Sequence, residues 1–354
     1  MLWLVGIGIS GYRGLSLAAL DILKQCDTVY VEQFTSALSN GDLRGLDSLL
    51  GFEVKPVRRW FVEDGRQILE ESKTKQVAIV TYGDPLIATT HSELRARAAK
   101  NSIKTSVLHS ASGITSTMGE TGLHAYKFGR MVTMMSERPS AISVYNAIFE
   151  NLLAGNHTII LTVFRYDDNE NPFFLDPVTV FKMLAEVEAN QKYHVISEYT
   201  FAIVASRIGM ESQQILSGKI SSLVQSEFGE GPHTVIVPGA LHFTESEAIV
   251  LLTENLDLPA NNSQNIKKIS SQMVERYGPR AKQAVEQMRR IITEYNEDKS
   301  MFDILDNAEC YIADAERFLN QGKFDLAVLS IGYAEGLVDA LRFQKGINPW
   351  APGN

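Results

Sequence analysis

The stretch Val77-Ala78-Ile79-Val80-Thr81-Tyr82-Gly83-Asp84-Pro85-Leu86-Ile87-Ala88-Thr89-Thr90-His91 decides how the chain is read. Four apolar residues, Val77 to Val80, signal a short buried strand, and Tyr82-Gly83-Asp84-Pro85 stops it at once with turn residues. Gly83 admits backbone angles that a side chain forbids and Pro85 fixes the next turn, so Asp84 is expected to be held out at the strand's carboxyl end. Ligands of open α/β sheets bind at that end. A single carboxylate there suits the vicinal hydroxyls of a ribose; an ordinary surface turn is the competing reading.

On the N-terminal side, an apolar run from Met1 to Val5 feeds Gly6-Ile7-Gly8-Ile9-Ser10-Gly11, a literal match to the GxGxxG dinucleotide fingerprint. A true fingerprint opens a helix at its third glycine, whereas here the helical pattern starts near Ser16 and runs through Leu17, Leu20 and Leu23. What survives is a loop of little bulk after the first strand, where a ligand can approach the backbone. Residues 28–32, 52–57 and 104–108 read as further strands, and 62–72 and 92–101 as helices, with a loop and helix over 35–50. Such alternation predicts a mostly parallel α/β sheet in a first domain, 1–110.

His109-Ser110-Ala111-Ser112-Gly113 is small and polar, and it crosses into a second domain, 111–258, while leaving main-chain groups free to line a cleft. A plain flexible linker is the alternative. Helix is predicted through Ile114 to Gly122 and on to a stop at Gly129, with Lys127 and Arg130 near its end. Strands are expected over 158–164, 199–205 and 233–237, and helices over 144–154, 177–189, after Glu211 and over 245–254. Fewer parallel crossovers are evident here, which favours a mixed sheet. Past a linker at 259–263 only helical periodicity remains, over 266–277, 280–295, 301–319 and 324–343, giving an all-α domain, 264–354. Phe302, Leu305, Ile312 and Leu319 share one face, as do Phe324, Ala327, Ile331, Ala334, Leu337 and Leu341, with Gly322 turning a helical hairpin between them. Met288-Arg289-Arg290 reads as a solvated helix face.

Of the net charge of −9, −8 resides before Pro259, where 21 Lys and Arg meet 29 Asp and Glu. This argues against nucleic acid as the main partner. No apolar run approaches a bilayer span and no secretory series opens the chain, so a cytoplasmic protein is expected. Cys26 and Cys310 form neither a metal spacing nor a disulfide framework, and none of the seven histidines has a metal partner at ligand spacing. No bound metal is expected. With no G-x-S-x-G elbow and no P-loop, the chemistry left is a cleft with one carboxylate and few permanent charges, suited to an adenosine-bearing cofactor.

Five segments in register, G-I-G-I-S-G (6–11), Y-G-D-P-L-I-A-T-T-H (82–91), H-S-A-S-G (109–113), G-E-T-G-L-H-A-Y-K-F-G (119–129) and P-G-A-L-H-F (238–243), resemble the diphthine synthases. These form a branch of the tetrapyrrole methylase superfamily of S-adenosylmethionine-dependent methyltransferases. The resemblance covers about residues 1 to 255. It implies two α/β domains with the methyl donor in the cleft between them, in a homodimer. It further implies that Asp84 holds the ribose or methionine end, that Ile9 and Ile87 pack on the ligand, and that Ser112 and Gly113 supply polar and backbone contacts. Thr162, Ile208 and Thr234 would line the adenine side. The implied acceptor is the amino group of a 3-amino-3-carboxypropyl histidine on translation elongation factor two, with S-adenosylhomocysteine as the other product. No catalytic residue is identified; Glu120 is a candidate proton acceptor, and Lys127 and Arg130 are candidates for the substrate carboxylate. The tail resembles a small archaeal helical domain of unknown function, a docking or oligomerisation module. Competing readings are a precorrin-type methyltransferase, a nicotinamide dehydrogenase resting on Gly6, Gly8 and Gly11, and a non-catalytic binding protein.

Overall fold

The computed structural model describes residues 1–35, 38–166, 172–264, 266–295 and 299–347. Two compact units divide it, one ending at Ile266 and one beginning at Lys267.

The first unit opens with five short strands, β1 Leu2–Gly6, β2 Thr28–Glu32, β3 Lys55–Val57, β4 Val77–Thr81 and β5 Thr105–Leu108, in the order β3-β2-β4-β1-β5. Every pairing is parallel, with Val5 beside both Val80 and Leu108. A parallel sheet is covered on both faces, which is why β2 and β4 are buried at every position, including the polar ends Thr28, Glu32 and Thr81. One face packs on α1 Leu17–Leu23 and α2 Asn40–Leu50. The other packs on α3 Arg59–Asp64, α4 Arg66–Ser72 and α5 His91–Lys100. The single helix expected over 62–72 is two, because Gly65 takes φ +61° and ends α3 before α4 begins.

From α6 Gly113–Glu120 the chain enters a second, six-stranded sheet. Its strands are β6 Val132–Met134, β7 Thr158–Thr162, β10 Phe201–Ser206, β11 Gln214–Lys219, β12 His233–Val237 and β13 Glu254–Asn255. Their order is β13-β11-β10-β12-β7-β6, parallel at its two edges and antiparallel inside, which is the expected mixed sheet. β8 Phe164–Tyr166 and β9 Pro172–Phe174 form a separate ribbon, so the run expected over 158–164 is split at Val163. The long helices α7 Arg138–Leu153 and α8 Pro177–Gln191 cover one face. Short α9 Ile220–Leu223 and α10 Phe243–Leu252 complete the set. The helix expected after Glu211 is instead β11, whose Ile215 to Gly218 are all buried. Lys127 and Arg130 do not end the expected helix: α6 stops at Glu120, Gly122 turns the chain at φ +70°, and Lys127 closes a separate 3-10 turn at Ala125–Lys127. Residues 259–263 are pinned rather than free, since Asn262 donates to the carbonyls of Phe201 and Pro238 and accepts from the Phe201 N–H.

The second unit is three helices, α11 Ile269–Glu294, α12 Lys299–Asn320 and α13 Phe324–Gln344. α11 is continuous where two helices, 266–277 and 280–295, are expected. Its buried residues, Val274, Gly278, Ala281, Val285, Met288 and Ile292, recur at alternating steps of four and three, and Pro279 falls on the exposed side of that seam. Lys282 pairs with Glu316, and Arg289 with Asp306 and Glu309, which sets α12 antiparallel to α11 and makes Arg289 an interhelical link rather than a solvated group. α11 thus packs against the hairpin formed by α12 and α13, where Val338, not Leu337, is fully buried. Residues 348–354 of the expected helical domain lie outside the described residues.

Candidate active site

The glycines after β1 serve a close approach between loops. Gly8 and Gly83 exchange backbone hydrogen bonds of 3.2 and 2.8 Å, and a Cβ on Gly6 would come within 2.5 Å of the Gly83 carbonyl oxygen. The helix begins at Leu17, beyond a short 3-10 turn at Gly11–Gly14, so no helix N-terminus faces a pyrophosphate at the third glycine. The Tyr82 hydroxyl donates to the Ile9 carbonyl at 2.6 Å and the Ser10 hydroxyl to the Gly209 carbonyl at 2.9 Å, which ties this loop to the second sheet.

Asp84 is turned inward, not held out. Its side chain is 4% exposed and accepts hydrogen bonds from the Leu86 N–H (2.9 Å), His109 Nδ1 (2.8 Å) and the Ser110 N–H (3.2 Å). Burial works to raise its pKa, but these donors outweigh burial and hold the carboxyl below its usual value. Three of roughly four acceptor positions are thereby used, leaving about one for a ligand.

These loops border a cavity of about 560 Å³ between the carboxyl ends of β1 and β4 and strands β6, β7, β10 and β12 of the second sheet. Small-molecule sites have this size. All eight residues expected at the cofactor, Ile9, Asp84, Ile87, Ser112, Gly113, Thr162, Ile208 and Thr234, line it. Ser112 caps α6 by accepting from the Ile114 N–H, and Thr162 donates to the His233 carbonyl at 2.9 Å. Its remaining walls include Phe34, Thr35, Arg59, Tyr82, Met135, Leu161 and His233, none anticipated from sequence. Arg59 was within reach of sequence reasoning, because it follows the carboxyl end of β3, where parallel sheets gather ligand contacts. His233 is buried with Nδ1 against the Ser206 hydroxyl, and burial followed by the nearby Arg207 lowers its pKa to about 4, so it is neutral.

The three candidates for chemistry lie outside this lining. Glu120 accepts from Gln213 at 2.9 Å, and the exposed Arg130 approaches Glu150 at 4.0 Å. Lys127 is committed to Glu245 and to the Ala240 carbonyl. Glu245 is fully buried and also accepts from His157 and from the His124 and His242 N–H groups. Burial alone would raise its pKa, yet these partners bring it to about 2. The cluster anchors α10 to the segment 124–127, and Lys127 is a structural cation.

The model of the family "Tetrapyrrole (Corrin/Porphyrin) Methylases" matches residues 1–224. Diphthine synthase from Methanocaldococcus jannaschii is 36% identical over 259 residues, 72% of this chain and 100% of that protein. The chain belongs to the diphthine synthase branch of the tetrapyrrole methylases. Diphthine synthase from Methanothermobacter thermautotrophicus is 34% identical over 252 residues, 71% of this chain and 94% of that protein. A crystal structure of a candidate diphthine synthase from Entamoeba histolytica superposes with TM-score 0.65 at 31% identity, over 72% of this chain and 98% of that one. Residues 276–347 match a separate family described as a protein of unknown function, DUF357. The chain is accordingly a methyltransferase of diphthamide biosynthesis with a helical unit appended.

Proposed function

We propose that the chain transfers methyl groups from S-adenosylmethionine to the amino group of a 3-amino-3-carboxypropyl histidine on translation elongation factor two. The observation that carries this reading is the convergence of the eight expected residues on one cavity at the carboxyl ends of a parallel sheet. The cavity suits the donor: Ile9, Ile87, Ile114, Leu161 and Ile208 offer apolar walls to adenine, and Asp84 retains an acceptor position for a ribose hydroxyl. S-adenosylmethionine supplies a methyl group on a positive sulfur, so the protein's task is alignment at about 3 to 3.5 Å rather than activation by a strong base. The tied loops at Ile9 and Asp84 fix one wall of the cavity and so hold a bound donor in register. Asp84 is a poor proton acceptor because the hydrogen bonds it accepts hold its carboxyl below the usual pKa, which leaves the amine's proton to solvent.

The acceptor is a protein in the cytoplasm, and we place the enzyme there; no described helix is long and apolar enough to cross a membrane. We further propose a homodimer, supported by an apolar surface on and beside α10, where Phe243 and Leu251 are each 73% exposed and Leu258 is 79% exposed.

The test is calorimetric titration with S-adenosylhomocysteine, using NAD as the comparison. Asp84→Ala is expected to weaken homocysteine-ligand binding at least tenfold, about 1.4 kcal/mol. Binding of NAD instead, or affinity unchanged by the substitution, would contradict the proposal.

A further inference from the structure

The cavity is poor in charge, and what charge it has is unevenly available. Asp84 is occupied by its own chain and His233 is neutral. Among the described lining residues Arg59 alone carries a permanent positive charge. Its Nε donates to Glu63 Oε1 at 2.7 Å, an i,i+4 pair that fixes the orientation of the guanidinium. Its Cζ lies 5.8 Å from the centre of the Phe34 ring, another wall of the cavity. No further side-chain partner holds the two Nη groups among the described residues, and the side chain is 58% exposed. A guanidinium held by its Nε with two Nη groups available is the fork that grips a carboxylate through two parallel hydrogen bonds.

We propose that Arg59 binds the carboxylate of an aminocarboxypropyl group entering the cavity. The inference rests on the function proposed above, in which this group occurs twice: on the acceptor histidine and as the methionine end of the donor. Both present the same α-amino carboxylate, and Arg59 stands at the carboxyl end of the sheet beside the cavity that would receive either. Lys127 cannot serve, being held by Glu245, and Arg130 lies outside the lining. Gripping the carboxylate would leave the neighbouring part of the group oriented toward the reacting atoms, which is the alignment this chemistry requires. The bland account is that Arg59 exists for its exposed ion pair with Glu63, an interaction of the kind that contributes only a few tenths of a kcal/mol.

The experiment uses the full chain, with Arg59→Gln and Arg59→Lys as variants and Glu63→Gln as the control that removes the ion pair but keeps the guanidinium. S-adenosylhomocysteine and 5′-methylthioadenosine, which lacks the aminocarboxypropyl group, are titrated into each protein. Steady-state methylation is then measured against elongation factor carrying the modified histidine. If Arg59 holds the donor, Arg59→Gln weakens the homocysteine ligand tenfold or more and leaves methylthioadenosine unchanged. If it holds the acceptor, both titrations stay unchanged while KM for the elongation factor rises tenfold or more with kcat little altered. In either case Arg59→Lys, which keeps the charge without the fork, recovers only part of the loss, and Glu63→Gln, whose amide oxygen can still accept from the Arg59 Nε, loses far less than Arg59→Gln. Wild-type titrations and KM unaltered in Arg59→Gln would overturn the assignment. A wild-type protein that binds no S-adenosylhomocysteine and methylates nothing would instead sink the proposed function, so the two failures are distinct.

Discussion

Glu32 ends β2 with its carboxylate fully buried, one oxygen accepting from the N–H groups of Phe34 and Thr35 at 3.0 Å and the other without a hydrogen-bond partner among the described residues. Burial raises its pKa to about 7, against the pull of those hydrogen bonds and of Arg59. A raised pKa means that the group's contribution to stability is complete below its unfolded value of 4.5 and is lost as pH rises through about 7. The protein should therefore lose up to ~3 kcal/mol between mildly acidic and mildly alkaline solution. Glu32→Gln, which cannot ionise, should flatten that slope in thermal midpoints measured across this window; an unchanged slope would show that Glu32 is not its source. His91 and His233 act in the opposite sense: both are buried with lowered pKa, so their contributions are complete above the ordinary histidine value of 6.5 and are lost as pH falls. None of this was legible in the sequence. Glu32 reads as a polar strand end and Asp84 as a projecting turn residue, because a sequence shows residue type but not which backbone N–H groups converge on a carboxylate. Among the eight cavity residues, Asp84, the loop holding Ile9 and the segment holding Ser112 and Gly113 were legible from turn and small-residue motifs, whereas Ile87, Thr162, Ile208 and Thr234 came only from the family resemblance.

At the scale of the element, α11 is the instructive case. A Gly278-Pro279 pair normally stops a helix, as proline gives up an N–H and its ring crowds the preceding turn. Here a seam of buried residues at steps of four and three continues through the pair and decides the outcome, while Pro279 faces solvent. Replacing it with alanine should stabilise the helical unit by as much as ~3 kcal/mol, seen as a higher transition temperature in calorimetry. A lowered temperature would mean that the proline sets a bend the packing needs. β11 was hidden for the converse reason. Gln-Ile-Leu-Ser-Gly-Lys has only two large apolar residues, and Gly218 is small because a Cβ there would lie 3.0 Å from both Leu256 and Asp257. Close packing against β13, rather than a periodic apolar pattern, makes it a strand.

The whole molecule joins a methyltransferase region to a helical unit with a hydrophobic core of its own. The diphthine synthase of Methanocaldococcus jannaschii aligns over its entire length to 72% of this chain, so the family's chemistry needs no counterpart of the tail. Cutting the chain after Ile266 should leave S-adenosylhomocysteine affinity within about twofold, well under the 1.4 kcal/mol that marks a tenfold change. A larger loss would make the tail part of the donor site. The apolar surface at α10, on which the proposed homodimer rests, belongs to the first unit, so that proposal predicts a dimeric shortened chain. Leu251→Glu should halve the molecular mass measured by light scattering, because it places a charge in the surface assigned to the dimer. The order of the elements, the mixed second sheet and the helical tail were legible from periodicity and turn residues. A cleft between the two α/β domains was expected, but the contacts that close it were not, because they join residues far apart in sequence, such as Ser10 and Gly209.

The most direct test is mass spectrometry of the histidine-bearing peptide from elongation factor two. The factor, carrying the aminocarboxypropyl modification, is incubated with the full chain and S-adenosylmethionine. The account predicts mass increments of whole methyl groups on the modified histidine, absent without the enzyme and strongly reduced with Asp84→Ala. An unmodified peptide, under conditions where the protein binds S-adenosylhomocysteine, would contradict it.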